Sequence, residues 1–327
     1  MGGDYAPQNI VLGAIDALKS DPNFELILVG KTDAIEEILK KEGFKSDRLE
    51  IIDAQEVIDM SDNPTSALKT KKNSSIVIGA NLVKDKKAHA FVSAGNTGAM
   101  MAASTLLIGR IKGVARPTIG ANIPNQKGRS TTLFDVGASI DSKPIHLLEQ
   151  AILGSIYVEE LQGIKNPTVG ILSIGEEESK GNDLTFAATK LLREANINFI
   201  GNVEGRDILK GTSDIVVTDG FIGNIILKFA ESIIGLLKYK LKMYAKKNLW
   251  NALRVLFAKG SLKGALQDMD YQSHGGVPLL GINGISIIGH GSSSPLAIKN
   301  MILRAKEMYD KNLIQKFEEA LKNHAEK

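Results

Sequence analysis

The chain contains no cysteine. That excludes disulfides, thiolate-bound zinc, iron–sulfur clusters and any thiol nucleophile. Histidine is nearly as scarce: His89, His146, His274, His290 and His324 are all there is. No two of them stand four apart, the spacing that would put a pair of imidazoles on one helix face, so no metal is expected. No uninterrupted apolar run reaches the ~18 residues that a membrane-spanning helix needs. The start, Met1-Gly2-Gly3-Asp4, has neither the basic nor the apolar region of a secretory signal, and Ala6 breaks the myristoylation pattern. A cytoplasmic location is therefore expected. Excess charge is also lacking. A net charge of +3 is too small for nucleic-acid binding by bulk electrostatics, so no nucleic-acid partner is expected.

What remains is ordinary globular material. The 327 residues are 43% hydrophobic and 24% charged, enough for one large α/β unit or two average domains. Short apolar strands alternate with helical patterns. Strands are predicted at Glu25–Val29, Glu50–Ile52, His89–Ser93, Thr131–Asp135, Thr168–Ser173 and Asp214–Thr218. Helices are predicted at Asp33–Glu42, Asn96–Ile108, Pro144–Leu161 and Asn182–Ala195, with a long stretch opening at Asn224. Strands separated by helices of about 10–15 residues imply βαβ units and a mostly parallel sheet.

The chemistry is expected in the strand-to-helix turns. Ser93-Ala94-Gly95-Asn96-Thr97-Gly98 and Thr218-Asp219-Gly220-Phe221-Ile222-Gly223-Asn224 each place two glycines three apart. Such loops expose backbone N–H groups at a helix N-terminus, where the macrodipole favours an anion. Neither is a Walker A loop or a G-x-G-x-x-G turn. Both are expected to open at the carboxyl edge of one parallel sheet, making a ligand crevice. A third loop, Gly175-Glu176-Glu177-Glu178-Ser179-Lys180-Gly181-Asn182-Asp183, sets the Lys180 ammonium beside another helix start with Asn182 as cap, which suits a phosphate. Its three glutamates read as solvated or paired to basic groups. Gly289-His290-Gly291-Ser292-Ser293-Ser294 forms a further turn before a helix at Pro295, but no G-x-S-x-G elbow supports a Ser-His-Asp triad.

Charge is unevenly placed. Between Ser232 and Gln267 there is no acid, yet Lys238, Lys240, Lys242, Lys246, Lys247, Arg254, Lys259 and Lys263 fall there. Leu249, Trp250, Leu253, Leu256 and Phe257 make one helical stripe, and Ile233, Leu237, Leu241 and Tyr244 make another. An apolar stripe flanked by lysines, with an aromatic anchor, is what an interfacial helix on an anionic membrane requires. A pair of core or dimer-interface helices gives the same pattern.

Several segments together resemble one family. Met1-Gly2-Gly3-Asp4-Tyr5-Ala6-Pro7, Ser93-Ala94-Gly95-Asn96-Thr97-Gly98-Ala99, Ile174–Asn182, Gly201-Asn202-Val203-Glu204-Gly205-Arg206-Asp207-Ile208, Asp219–Asn224, Pro278-Leu279-Leu280-Gly281 and Gly289–Ser293 are similar, in order, to the phosphate acyltransferases of bacterial phospholipid synthesis. One departure stands out. Family members carry a short strand and an Asp-Ala pair ahead of the Met-Gly-Gly-Asp motif, and this chain starts at the Met, through either an upstream start or a lost strand.

The resemblance implies a Rossmann-like three-layer α/β/α fold like that of phosphotransacetylases and isopropylmalate dehydrogenases, carrying an amphipathic helical hairpin at 232–267. It implies one catalytic unit of two packed lobes, about 1–130 with 285–327 and about 131–284. It further implies transfer of a fatty acyl group from acyl carrier protein to inorganic phosphate, without a cofactor. Phosphate is nucleophilic at neutral pH and a thiol with a pKa near ~8.5 leaves readily, so a chain without cysteine suits direct attack with no acyl-enzyme. Lys180 is then expected to hold phosphate and Asn224 to steer phosphate or the thioester oxygen, unless Asn224 is simply a helix cap. Asp4, Ser93, Gly95, Asn96, Thr97, Gly98, Gly181, Asn182, Asp219, Gly220, Gly223, His290 and Ser292 are the expected substrate contacts. A homodimer is expected to visit the cytoplasmic membrane face through Leu249, Trp250, Leu253, Leu256 and Phe257, although the same lysines could dock the acidic carrier protein. The alternatives are a phosphotransacetylase acting on acyl-CoA, or an NAD(P)-dependent decarboxylating dehydrogenase, whose Asp and Arg clusters are not evident.

Overall fold

The computed structural model describes residues 1–265 and 275–325. Leu266 and Gln267 of the expected hairpin, the Lys263 side chain, His274 and the last two residues lie outside the described residues. The chain opens with α1 (Gln8–Ser20), β1 (Leu26–Gly30), α2 (Thr32–Lys41) and β2 (Leu49–Asp53). Next come α3 (Pro64–Thr70), α4 (Ser75–Lys84), β3 (Ala90–Ser93) and α5 (Thr97–Ala103), which runs on as a π-helical turn at Ser104–Ile108. Then follow β4 (Thr118–Pro124), β5 (Ser130–Phe134), α6 (Pro144–Gln162), β6 (Thr168–Leu172), α7 (Asp183–Glu194), β7 (Asn198–Val203), α8 (Gly205–Lys210) and β8 (Ile215–Val217). The chain closes with α9 (Gly220–Ala245), α10 (Leu249–Ala265), β9 (Val277–Leu280), β10 (Ile285–Ile288), α11 (Pro295–Asp310) and α12 (Leu313–Ala325).

Eight strands form one sheet in the order β3-β10-β9-β4-β5-β8-β6-β7. Helices α6, α7, α11 and α12 bury Leu147, Leu148, Leu192, Met301 and Phe317 against one face. Helices α4, α5 and α8 bury Val77, Met100 and Ile208 against the other. The expected three-layer α/β/α fold is present. The boundary expected near residue 130 falls in the β4–β5 hairpin, and β9 of the second segment pairs with β10 of the first, so one sheet runs through both. β1 and β2 pair separately, and β1 and β3 line a cavity of about 650 Å³.

Helix ends follow their sequence signals. Asn63, Ser74, Asn182, Asp219 and Ser294 each accept a hydrogen bond from a first-turn N–H. Pro144 and Pro295 stand at first-turn positions, and Gly163, with φ of 71°, closes α6 in the left-handed conformation.

One expectation fails. The β3 and β8 turns were to share a carboxyl edge, but the pairs β10–β9, β9–β4 and β4–β5 are antiparallel. Three reversals lie between β3 and β8, so these two strands run in opposite directions and their turns leave opposite edges. The cause is β4, together with β9: neither strand was recognised in the sequence.

Candidate functional site

The carboxyl ends of β5, β8 and β6 lie side by side, because these three strands are adjacent and parallel. Ligands of open α/β sheets bind at such ends. Where β5 emerges is set by packing. The Phe134 ring lies on Gly120 and Gly154, where added Cβ atoms would approach it to 2.0 and 2.8 Å, and it meets Tyr157 edge-on.

Next along the chain, Asp135 is fully buried. Its carboxylate accepts the N–H groups of Gly137, Ala138 and Ser139 at 3.1, 2.9 and 2.8 Å, folding the loop into a tight cup. Burial nevertheless pushes its pKa up to about 6, outweighing those bonds. The first turn of α9 is pressed on this cup. A Cβ on Gly220 would lie 2.2 Å from the Ser139 carbonyl oxygen, and one on Gly223 would lie 1.8 Å from that of Asp135. Both glycines are thus required by backbone approach.

Asp219 caps α9 by accepting from the Ile222 N–H. The long helix therefore starts four residues before the expected position. Asn224 sits in its second turn and is not a cap. Its amide nitrogen lies 3.2 Å from where a Cβ on Gly137 would stand, so it faces the same loop. The early start follows from the Asp219 cap, which outweighs the two glycines that suggested a turn.

At the neighbouring strand end, the Lys180 loop is stapled from below. Asn202 Nδ2 donates to the carbonyls of Glu177 and Lys180 at 2.8 and 3.0 Å, and Ser173 Oγ donates to the latter at 3.1 Å. Gly181 adopts φ of +140°, and a Cβ there would meet Thr185 Oγ1 at 2.2 Å, so only glycine fits. Asn182 and Thr185 then close a reciprocal cap on α7. Lys180 is exposed, and its ammonium has no hydrogen-bond or ion-pair partner among the described residues. Glu176 and Glu178 pair with Arg206 and Arg193, as the basic-partner reading expected.

The remaining candidates gather elsewhere. Asp4 N–H donates to the Gly291 carbonyl at 2.9 Å, and Gly289 N–H donates to that of Ser93 at 2.8 Å, which joins the N-terminus to the β3 and β10 turns. Ser93 Oγ accepts from the Gly95 N–H, and His290 Nδ1 lies 2.7 Å from Ser292 Oγ. Asn96 is buried and fully occupied: its Oδ1 caps α5 at Ala99, and its Nδ2 faces the carbonyls of Asp59, Met60 and Asp62. Thr97 is exposed, while Gly98 abuts Pro64. Among the described residues no hydrogen bond joins this group to the Lys180–Asn224 group. The expected sites therefore form two groups. Asp135, Ser139 and Asn202 were missed as site builders, and the only signals in the sequence were an Asp-x-Gly turn after a strand and the asparagine of the Gly201–Ile208 segment.

α9 and α10 pack together as the expected hairpin. Leu249, Trp250, Leu253, Leu256 and Phe257 are all exposed, Leu253 by 37%, Trp250 by 74% and Phe257 by 83%. Although Lys228 and Glu231 interrupt it, α9 is long and apolar enough by length and composition to cross a membrane.

Capped helix starts on adjacent parallel strand ends make this an α/β protein, and its fold is like that of phosphotransacetylases. The structure is similar to a phosphotransacetylase from Streptococcus pyogenes (TM-score 0.61, 19% identity, 93% of this chain and 92% of that one). It is also similar to the EutD phosphotransacetylase from Staphylococcus aureus (TM-score 0.59, 16% identity, 91% of each). In sequence, the chain is 49% identical over 316 residues to a phosphate acyltransferase of Halothermothrix orenii, covering 96% of this chain and 94% of the relative. It is 48% identical over 328 residues to one of Heliobacterium modesticaldum, covering 100% and 97%. Residues 1–316 match the family model described as fatty acid synthesis protein, and the chain belongs to that family.

Proposed function

We propose that this chain transfers a fatty acyl group from acyl carrier protein to inorganic phosphate, giving acyl-phosphate and free carrier protein for phospholipid synthesis. The observation that carries the proposal is the unpartnered Lys180 ammonium, held beside the capped start of α7 on the same sheet edge as the start of α9. In the step itself a phosphate oxygen forms a bond to the thioester carbonyl carbon. The C–S bond then breaks, and the departing thiolate takes a proton from water. Lys180 holds the phosphate by charge-assisted hydrogen bonding. Asn224, a neutral amide facing the Asp135 loop, donates to the developing oxyanion, and the α9 start adds its dipole. No acyl-enzyme is formed.

We propose further that the chain works as a cytoplasmic homodimer that visits the membrane face, and the exposed apolar and basic surface of the hairpin supports the membrane part of this reading. Each basic residue near an anionic leaflet contributes about 1 kcal/mol, and the exposed Leu, Trp and Phe add burial. The first turn of α9 is packed on the Asp135 loop, which favours a hairpin lying on the bilayer over one crossing it.

Thiol release from acyl carrier protein, measured with and without phosphate, tests the activity. Lys180→Ala and Asn224→Ala are each expected to lower it by about 100-fold in folded protein. Near-wild-type turnover in both overturns the assignment.

A further inference from the structure

Two strands face each other across the cavity of about 650 Å³. β1 pairs only with β2, and β3 ends the eight-stranded order, paired only with β10. Both line the cavity, through Leu26–Val29 on one side and Ala90–Ser93 on the other. Among the described residues no backbone hydrogen bond joins the two.

The two strands run in the same direction. A Cβ on Gly30, the last residue of β1, would lie 2.8 Å from Met1 Sδ. One on Gly3 would lie 2.8 Å from the carbonyl oxygen of Ala94, just past β3. The carboxyl ends of β1 and β3 therefore flank the same short segment, Met1–Gly3. Glu25 before β1 and His89 before β3 line the cavity from the amino ends. Five residues of β1 make the slot about 17 Å long at ~3.3 Å per residue. Helices close both of its faces: Ile10 and Ala14 of α1 with Ile298 and Ile302 of α11 on one, Gly79 and Leu82 of α4 on the other. Strand edges shielded from water in this way need partners for their N–H and C=O groups. One further parallel strand satisfies both edges at once and joins β2-β1 to the large sheet.

The Met1 ammonium shows where such a strand connects. It is partly buried at the carboxyl end of the slot, and among the described residues its one hydrogen bond is to Ser75 Oγ at 3.3 Å. A peptide bond at that nitrogen would lead the chain straight down between β1 and β3. The length also matches. The Heliobacterium modesticaldum relative covers 100% of this chain, yet the 328 aligned residues are 97% of that relative, which leaves about ten of its residues beyond the ends of this chain. Five or six residues fill the slot.

We propose that the slot between β1 and β3 binds an extended polypeptide segment as a parallel strand, and that this segment is the one joined to the Met1 amino group. Both faces of the slot are apolar, so the strand is a near-continuous run of Val, Ile and Leu rather than an alternating one. Its seating also fixes the Met1–Asp4 segment, whose Asp4 N–H holds the Gly291 carbonyl, against the β3 and β10 turns.

Three forms of the protein test this: the chain starting at Met1, the chain with six Val and Ile residues joined ahead of Met1, and the chain with six Gly and Ser residues there. The apolar extension raises the urea midpoint and slows hydrogen exchange of the β1 and β3 amides by at least about tenfold, and the Gly/Ser extension does neither. Equal midpoints and equal exchange in all three forms overturn the proposal. Position is read separately, because the chain has no cysteine of its own. Val92→Cys, combined with a cysteine at either of the two central positions of the apolar extension, forms a disulfide within one molecule. Disulfides only between molecules place a second copy's segment in the slot and overturn the assignment, as does the absence of any. Mass spectrometry of the protein from its own cells supplies the last check: the N-terminal peptide begins upstream of Met1, and one that begins at Met1 or Gly2 overturns the proposal.

Discussion

Replacing Gly223 by alanine tests whether backbone contact between α9 and the Asp135 loop holds the site together. Two opposing effects set the sign. Alanine is a better helix former than glycine by about 1 kcal/mol, which alone would stabilise α9. Against this, the new Cβ would lie 1.8 Å from the Asp135 carbonyl oxygen, a backbone atom that cannot swing aside. Real Cβ atoms keep at least 3.0 Å, so helix and loop must part by about an ångström. Overpacking of this kind costs about 1–3 kcal/mol, so the clash wins and the variant unfolds at lower urea. Displacing the α9 start by that distance lowers thiol release by about 100-fold. Gly260 in α10 supplies the matched control, since a Cβ there meets nothing within 4 Å. Gly260→Ala raises stability by about 0.5–1 kcal/mol and leaves turnover unchanged. Urea midpoints and thiol release on both variants decide the matter. Gly223→Ala with wild-type stability and turnover refutes the close-contact argument.

Two further outcomes are expected. The folded pKa of Asp135, about 6, lies above the ordinary carboxylate value of 3.8, so its stabilising contribution is complete below that value and is lost as pH rises through 6. The stability advantage of wild type over Asp135→Asn should therefore shrink by up to about 3 kcal/mol between pH 4 and pH 7, and a gap that is flat across urea midpoints contradicts this. In liposome flotation, Trp250→Glu combined with Leu253→Glu abolishes binding to anionic vesicles while activity on soluble acyl carrier protein persists. Flotation of the double variant, or no binding by wild type, shows that the hairpin serves only packing.

The sequence by itself determined most local structure, and with it the α/β class. Strands β1, β2, β3, β5, β6 and β8 lie within a residue or two of their expected bounds, because each is a short apolar run closed by turn residues. The starts of α7 and α11 were legible for a similarly local reason: Asn182 and Pro295 act on N–H groups or dihedrals within one turn. Lys180 and the Gly220–Gly223 turn could be picked out because glycine and cap spacing carry the signal of a helix start. Strand direction could not. β4 and β9 each turn back on the next strand through a short hairpin and pair with each other from far along the chain, and these reversals send the Ser93–Gly98 and Thr218–Asn224 turns to opposite edges. Asp135 was invisible because a carboxylate acquires its role from what surrounds it, here the Ser139 backbone and the first turn of α9, and only the folded sheet brings those together.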